Sequence, residues 1–318
     1  LVCTLISHVS GHFASLMCFV TGQVVVMMDD FDAGTALAVL AAERITGMIV
    51  VPPMLYEMLD HPGWPAAGFP DIETVYYLGA PTAPSRLRQA IGRFGPVMHQ
   101  MYGSTEHGMV TEFWPGEHDL SRPHLLRSCG RPAPSVDVEL RDGNGTVTGV
   151  GQVGEVWVRS GMVMDGYWQD PERTRDMLVG GWSRTGDLAY RDDDGYLYLV
   201  DRARDIIVTG RTSDNVYSRL LDDFLCTLPG VRQAAAVGVP DAQWSEAVHV
   251  FLVPDGGTRP DLDEIRRLVI GTLGDLYAPK SCSVVASLPL TTVGKIDKKA
   301  LRAAYLAAAE NGGTATGG

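Results

Sequence analysis

The sequence predicts an α/β region, then a β-rich subdomain, then a small α+β C-terminal domain. Three observations lead there. Up to about residue 126, short apolar runs alternate with stretches of helical spacing. From Arg127 the pattern changes to short alternating strands separated by Gly- and Asp-rich turns. After Asp205 a third pattern begins, in which apolar strands lie between amphipathic helices.

In chain order, VVVMM (24–28) reads as a buried strand, AGTALAVLAAERITG as a helix ending at Gly47, and MIVVPP as a short strand closed by prolines. MLYEMLDH is a helix. VYYLGAP is a strand entering a tight turn, SRLRQAIGRFG a helix, and PVMHQMYG a strand entering another turn. Such alternation implies parallel strands with helices on their faces, and ligands of such sheets sit at the carboxyl ends of strands. GAP and YGSTE fall at such ends. VDVELRDGNG, GQVGEVWVRS and DGYLYLVDRARDIIV supply the β-rich part, the first with the tight-turn signal DGNG. SRLLDDFLCTLPG is a helix closed by Pro-Gly, and QAAAVGVPD and EAVHVFLVPDG are strands. PDLDEIRRLVIGTLG is a helix whose early acids and later bases suit its dipole. Residues 1–203 are expected to form one domain, changing character near 126, and 204–306 a second. NGGTATGG has nothing to bury, so 307–318 is expected to be a disordered tail.

A net charge of −12 over 318 residues argues against a nucleic-acid surface, which needs a basic stripe. Apolar runs such as VTGQVVVMM are too short and interrupted to span a bilayer. The five cysteines (Cys3, Cys18, Cys129, Cys226, Cys282) form no CxxC pair, which fits buried thiols in a reducing, cytoplasmic compartment. Leu1 is not a natural start, so processing or truncation is expected before it.

Several short stretches carry side chains suited to chemistry, and each also has a plain structural use. Thr105 and Glu106 follow a glycine at a strand's carboxyl end. The hydroxyl can donate to a phosphate oxygen and the carboxylate can hold Mg2+; both residues can equally cap the next element. Gly79, Ala80 and Pro81 let a flat base approach the backbone, or simply make a tight turn. Asp187, in the Gly-flanked turn TGD, offers two acceptors for ribose hydroxyls or serves the turn itself. Arg202 reaches a ribose or phosphate, or makes a surface ion pair. Lys295 follows a glycine near the C-terminus, where a lysine is ordinarily a solvated surface group. His8 ends an apolar strand, where a histidine more often packs than does chemistry.

Five stretches stand in fixed order: LGAPTAP (78–84), QMYGSTE (100–106), GWSRTGDLAY (181–190), YLVDRARDIIVTG (198–210) and LPLTTVGKIDKKALR (288–302). Together they resemble the adenylate-forming superfamily of acyl-CoA synthetases, luciferases and peptide-synthetase adenylation domains, from about Leu5 to Leu306. The resemblance implies the remainder of a large adenylating domain and its small C-terminal domain. It implies ATP/AMP and Mg2+ as cofactors and coenzyme A as co-substrate. By this resemblance Tyr102 lies against adenine, with Gln100 and Met101 lining the same pocket; Gly79, Ala80, Pro81 and Leu199 also bind the nucleotide. Gly103, Ser104 and Thr105 bind the nucleotide, Thr105 at its phosphates, Glu106 holds the metal, Asp187 meets the ribose, and Arg202 the same ribose or a phosphate. Arg204 is the hinge of the C-terminal domain, Gly210 contacts coenzyme A, and His8 borders the acyl pocket. Lys295 bridges the substrate carboxylate and the α-phosphate; Lys298 and Lys299 receive no catalytic role.

Two departures qualify the match. The family's Ser/Thr/Gly-rich phosphate loop ending in Pro-Lys-Gly is not found, so the chain is expected to start part-way through the large domain and to bind nucleotide poorly alone. After the hinge the family reads G-G-x-N-V-Y-P-x-E-[IV]-E, whereas this chain reads GRTSDNVYSRLLDDF, with a longer loop, Ser218 for Pro and Leu220 for Glu. The activity implied is activation of a carboxylic acid through acyl-AMP, then thioester formation with coenzyme A. The alternatives are loading of a carrier protein, or a non-catalytic AMP-binding fragment. LISHVSGHFASLM contains no acid to hold a substrate ammonium, which favours a fatty or aryl acid.

Overall fold

The computed structural model describes residues 1–209, 214–241, 243–256, 261–291 and 295–310. The chain divides into two compact units: Leu1–Thr185 with Ala189–Leu199, and Gly186–Leu188 with the chain from Val200 onward.

The first unit opens with α1 (Val9–Thr21), α2 (Ala33–Ala42), β1 (Gly47–Val50), α3 (Pro52–Asp60), β2 (Thr74–Leu78), α4 (Pro84–Phe94), β3 (Met98–Ser104), β4 (Gly108–Phe113) and β5 (Arg131–Pro132). The sheet runs β1-β2-β3-β4-β5, with β1, β2 and β3 parallel and β4 turned back against β3. Prolines at the first turns of α3 and α4 fix φ where no helical N–H is needed. Asp32 caps α2 by accepting from the Thr35 N–H at 2.7 Å. Leu40, Leu55, Leu87, Val75 and Tyr77 share one core cluster across these helices and the sheet. Each leucine so buried contributes about 1.5–3 kcal/mol.

Three expectations need correction here. VVVMM is not a strand: it pairs with Val2 at the single bridge from Met27, and Val24 is exposed, so an apolar run paired at one point does not become a ladder. The helix expected to reach Gly47 stops at Ala42, because Arg44 takes a left-handed φ of 50° and Gly47 already begins β1. His8 does not end a strand; it is the N-cap of α1, a helix absent from the sequence reading.

A second sheet follows: β6 (Asp137–Arg141), β7 (Gly154–Arg159), β8 (Leu178–Val179), β9 (Trp182–Arg191) and β10 (Leu197–Arg202), in the order β10-β9-β7-β6, with β8 beside β9. Helix α5 (Pro171–Met177) precedes β8. TGD is not a turn. It lies inside β9, where Gly186 takes φ 71° without leaving the strand.

The second unit contains β11 (Ile207–Thr209), β12 (Asp214–Val216), α6 (Ser218–Leu225), β13 (Val231–Asp241), β14 (Ser245–Pro254), α7 (Leu262–Leu273), β15 (Ser281–Val284) and α8 (Lys298–Glu310). Antiparallel β13 and β14, with β15 parallel to β14, form its main sheet. Alternation along VFLV sends Val250 and Leu252 to α6 and α7, and Phe251 and Val253 to the core that takes Leu301 of α8. Helices therefore cover both faces, which is why the strand reads as a continuous apolar run. Helix α8 continues to Glu310, four residues into the segment expected as a tail; residues 311–318 lie outside the described residues. Among the described residues no helix is long and apolar enough to cross a membrane.

Candidate active site

Within the first unit the parallel register sets Leu78 opposite Met101. Gly79–Pro81 and Tyr102–Glu106 therefore leave neighbouring strand ends side by side. Gly79 has φ 87°, a conformation with a steric penalty for any residue bearing a Cβ. At Gly103 the β3–β4 register slips, and a Cβ there would overlap the Gly108 carbonyl oxygen. This bulge folds the turn tightly and leaves Thr105 exposed at its tip.

The turn is braced from behind. The Ser104 hydroxyl meets Nδ1 of the buried His107 at 2.6 Å. The Glu106 carbonyl accepts from the Met164 N–H at 2.9 Å, and its Oε1 accepts from the Tyr167 hydroxyl at 3.1 Å. Arg173 lies over the Tyr167 ring, 3.9 Å from its centroid. Burial pushes the Glu106 carboxyl up, but hydrogen bonds from its own backbone N–H, Ser104 and Tyr167 together hold it below its ordinary value. It is a carboxylate at neutral pH. Gln100 is fixed by its Oε1, which accepts from the buried Tyr77 hydroxyl at 3.3 Å. Met101 and Tyr102 are half-buried, and Tyr102 and Leu199 pack against the core under the second sheet. Ala80 is half-buried and Pro81 exposed. An exposed hydroxyl, a held carboxylate and a stretch of small backbone thus share the carboxyl ends of two neighbouring strands.

His8 lies apart from these contacts. Its Nδ1 is 2.9 Å from the Ser10 hydroxyl and caps α1 through the Ser10 N–H at 3.4 Å. Leu1–Cys3 runs parallel beside β1, so His8 emerges on the carboxyl side of the sheet.

The second unit holds the remaining candidates. Arg202 Nε pairs with Asp187 Oδ1 at 3.2 Å, joining β10 to β9. Arg204 sits in a single 3-10 turn, Ala203–Asp205, immediately after β10. Gly210 and the lengthened loop around it lie outside the described residues. Lys295 closes a narrow hairpin: its N–H reaches the Thr291 hydroxyl at 3.2 Å, and its carbonyl accepts from the Thr291 N–H at 2.7 Å. Leu290 bridges Ile296, and Asp297 caps α8 through the Ala300 N–H at 2.9 Å.

Sequence reasoning missed a buried polar cluster in this unit. Lys298 Nζ lies 2.6 Å from Asp222 Oδ2 and donates to the Ser218 hydroxyl at 2.6 Å. Ser218 in turn donates to Asp201 Oδ2 at 2.9 Å. Asp201 and Ser218 are 6% and 0% exposed, so these are not surface contacts. The signal available in the sequence was Ser218 itself, a hydroxyl where the related pattern has proline.

Among the described residues no three His, Cys, Asp or Glu side chains converge on a point that could hold a metal. Mg2+ in nucleotide enzymes takes one or two carboxylates and completes its shell with phosphates and water. The single held carboxylate of Glu106 fits that mode, and does not fit a resident ion caged by protein.

Residues 1–168 match the family model described as AMP-binding enzyme, and 221–295 the model described as AMP-binding enzyme C-terminal domain. The medium/long-chain-fatty-acid–CoA ligase FadD8 of Mycobacterium tuberculosis is 40% identical over 96% of this chain and 54% of its own length. The fatty acid–[acyl-carrier-protein] ligase ScoC of Streptomyces coeruleorubidus is 33% identical over 93% of this chain and 56% of its own. The solved amide bond synthetase McbA of Marinactinospora thermotolerans superposes with a TM-score of 0.90 at 41% identity, over 96% of this chain and 61% of that one. The chain thus spans about half the length of the curated relatives it matches. With both family models matched in order, and a relative 40% identical along 96% of this chain, the chain belongs to the AMP-binding enzyme family.

Proposed function

We propose that the enzyme carrying this chain activates a carboxylic acid as its acyl-adenylate and transfers the acyl group to coenzyme A. The observation that carries the reading is the parallel register that lays Gly79–Pro81 beside Tyr102–Glu106, since a base, a phosphate and a carboxylate-held cation need those surfaces together. The acid's carboxylate attacks the α-phosphorus of ATP and pyrophosphate leaves. The thiolate of coenzyme A then attacks the acyl carbon and AMP leaves. Gln100, Met101 and Tyr102 seat the base. Thr105 donates to phosphate, and Asp187, oriented by Arg202, accepts from the ribose hydroxyls. Lys295 offsets the charge that develops where carboxylate and α-phosphate join. Mg2+ held at Glu106 would neutralise phosphate charge. Leu5 and Ile6, each 53% exposed just before His8, suit an apolar acid.

A second reading concerns the acceptor. Ser218 and Leu220 depart from the pattern in the segment that the family turns toward the thiol, and a 41% identical solved relative is an amide bond synthetase. An amine would then attack the acyl carbon in place of the thiolate. ScoC supports a carrier-protein thiol in the same role.

The full-length enzyme is expected to release pyrophosphate from ATP only when a fatty or aryl acid is present. Lys295→Ala should slow that step roughly 10²–10³-fold. Acid-independent release, or a Lys295→Ala enzyme as fast as wild type, would refute the reading. Offering coenzyme A, an amine and an acylatable carrier protein to preformed acyl-AMP decides the acceptor.

A further inference from the structure

We infer that Lys298 is a positioning residue for Lys295, clamping the Lys295 hairpin through Ser218 and Asp201 to β10, the strand that carries Arg202. The inference rests on the roles given above to Lys295, Asp187 and Arg202.

Asp201 and Arg202 are consecutive on β10, so their side chains leave opposite faces. Arg202 goes to Asp187 at 3.2 Å. Asp201 accepts from the Arg202 N–H at 2.8 Å and from the Ser218 hydroxyl at 2.9 Å. A serine hydroxyl has one proton to give and lone pairs to spare. Having donated to Asp201, it accepts from Lys298 at 2.6 Å. Proline at this position could do neither. Lys298 completes its bonding on Asp222, whose other oxygen takes the Ala236 N–H of β13 at 2.5 Å.

Lys298 is the first residue of α8, and Asp297 just before it caps that helix. The Asp297 N–H bonds the Pro289 carbonyl at 2.8 Å, closing the base of the hairpin whose arm is Lys295. An ammonium held at two points therefore fixes the start of α8, and with it the hairpin. The lysine stem is half-buried; its side chain is 19% exposed and that of Asp222 15%. Burial pushes the Asp222 carboxyl up to about 6 even with Lys298 beside it, so without that ammonium the carboxyl would take up a proton. Lys299, the neighbour, is exposed.

The test compares Lys298→Met, Lys298→Arg and, as control, Lys299→Met. On this chain, hydrogen exchange at the amides of Thr291, Lys295 and Asp297 is expected to speed up at least tenfold in Lys298→Met, with β13 and β14 unchanged. In the full-length enzyme, kcat for acyl-AMP formation should fall at least tenfold with KM for ATP and acid within twofold. Consumption of preformed acyl-AMP should stay within twofold. Lys298→Arg should restore most of the loss, and Lys299→Met should match wild type. Ser218→Ala keeps the Lys298–Asp222 pair and covers the case in which Lys298→Met does not fold; it should slow acyl-AMP formation at least threefold. Hairpin exchange within twofold of wild type, or equal loss in both half-reactions alongside a lower Tm, overturns the inference. A wild-type enzyme that makes no acyl-AMP defeats the functional reading instead, and hydrogen exchange still decides the clamp.

Discussion

His249 is fully buried between two hydroxyls, with Nδ1 2.6 Å from Ser281 Oγ and Nε2 3.1 Å from Ser283 Oγ. Burial pushes its imidazole down to about 4, so the folded chain holds it neutral. Stability from this group is complete above its unfolded value near 6.5 and is lost as pH falls through 4, about 3 kcal/mol in all. Asp222 has the opposite sign. Burial raises its carboxyl to about 6, so the folded state binds a proton before the unfolded state does and gains stability as pH falls from 6 toward 4. The two windows overlap within one unit. Between pH 7 and 4.5 wild type is therefore expected to lose about 2 kcal/mol more stability than His249→Gln, in which the histidine contribution is gone and that of Asp222 remains. Urea unfolding of both proteins at the two pH values measures this; parallel pH curves for wild type and variant would contradict it.

The β3–β4 turn shows how one element serves the site. Gly103 carries the register slip, and its missing side chain leaves room for the Gly108 carbonyl. In Gly103→Ala, backbone must move on both sides of Thr105 and Glu106. A loss of about 3 kcal/mol in unfolding free energy is expected, together with loss of the Tyr167–Glu106 contact. A crystal structure of the variant with the turn unmoved would disprove this. This element was legible in the sequence, because an apolar strand running into a glycine and two hydroxyls carries both its period and its stop signal. So were β1, β2, α3 and α4, whose apolar spacing follows their buried faces. Helix α1 was not: Phe13, Leu16, Met17, Phe19 and Val20 leave much of its apolar surface exposed, so spacing and burial do not agree. VVVMM misled in the other direction, being composed like a strand while meeting its neighbour at the single bridge to Val2. TGD misled because a glycine with positive φ inside a strand carries the same letters as a turn. The Lys298 cluster was illegible for a different reason: its members, at 201, 218, 222 and 298, are joined only by the fold.

At the scale of the whole molecule, each unit closes over its own apolar interior. Leu55, Val75 and Tyr77 belong to the first, and Leu221, Val250 and Leu252 to the second. Chains divided in this way unfold unit by unit when each core is self-sufficient. The tryptophans make that testable, because five of the six fall in the first unit and Trp244 alone in the second. Trp244 also has a distinctive surrounding, with the Lys280 ammonium 3.7 Å from its ring centroid and held by Asp241 at 3.1 Å. With fluorine-labelled tryptophan, its resonance should stand apart and vanish on substitution by phenylalanine, which assigns it. Leu252→Ala removes a fully buried side chain from the second core and is expected to cost about 2–5 kcal/mol there. In a urea titration the Trp244 signal should then disappear at lower denaturant than in wild type, while the other five signals keep their midpoint. Leu55→Ala should do the reverse, since Leu55 is equally buried in the first core. Simultaneous loss of all six signals in either variant would show one cooperative body, and would require the hinge role of Arg204 to be abandoned as well, since a small domain that swings about one residue must first be able to hold itself together.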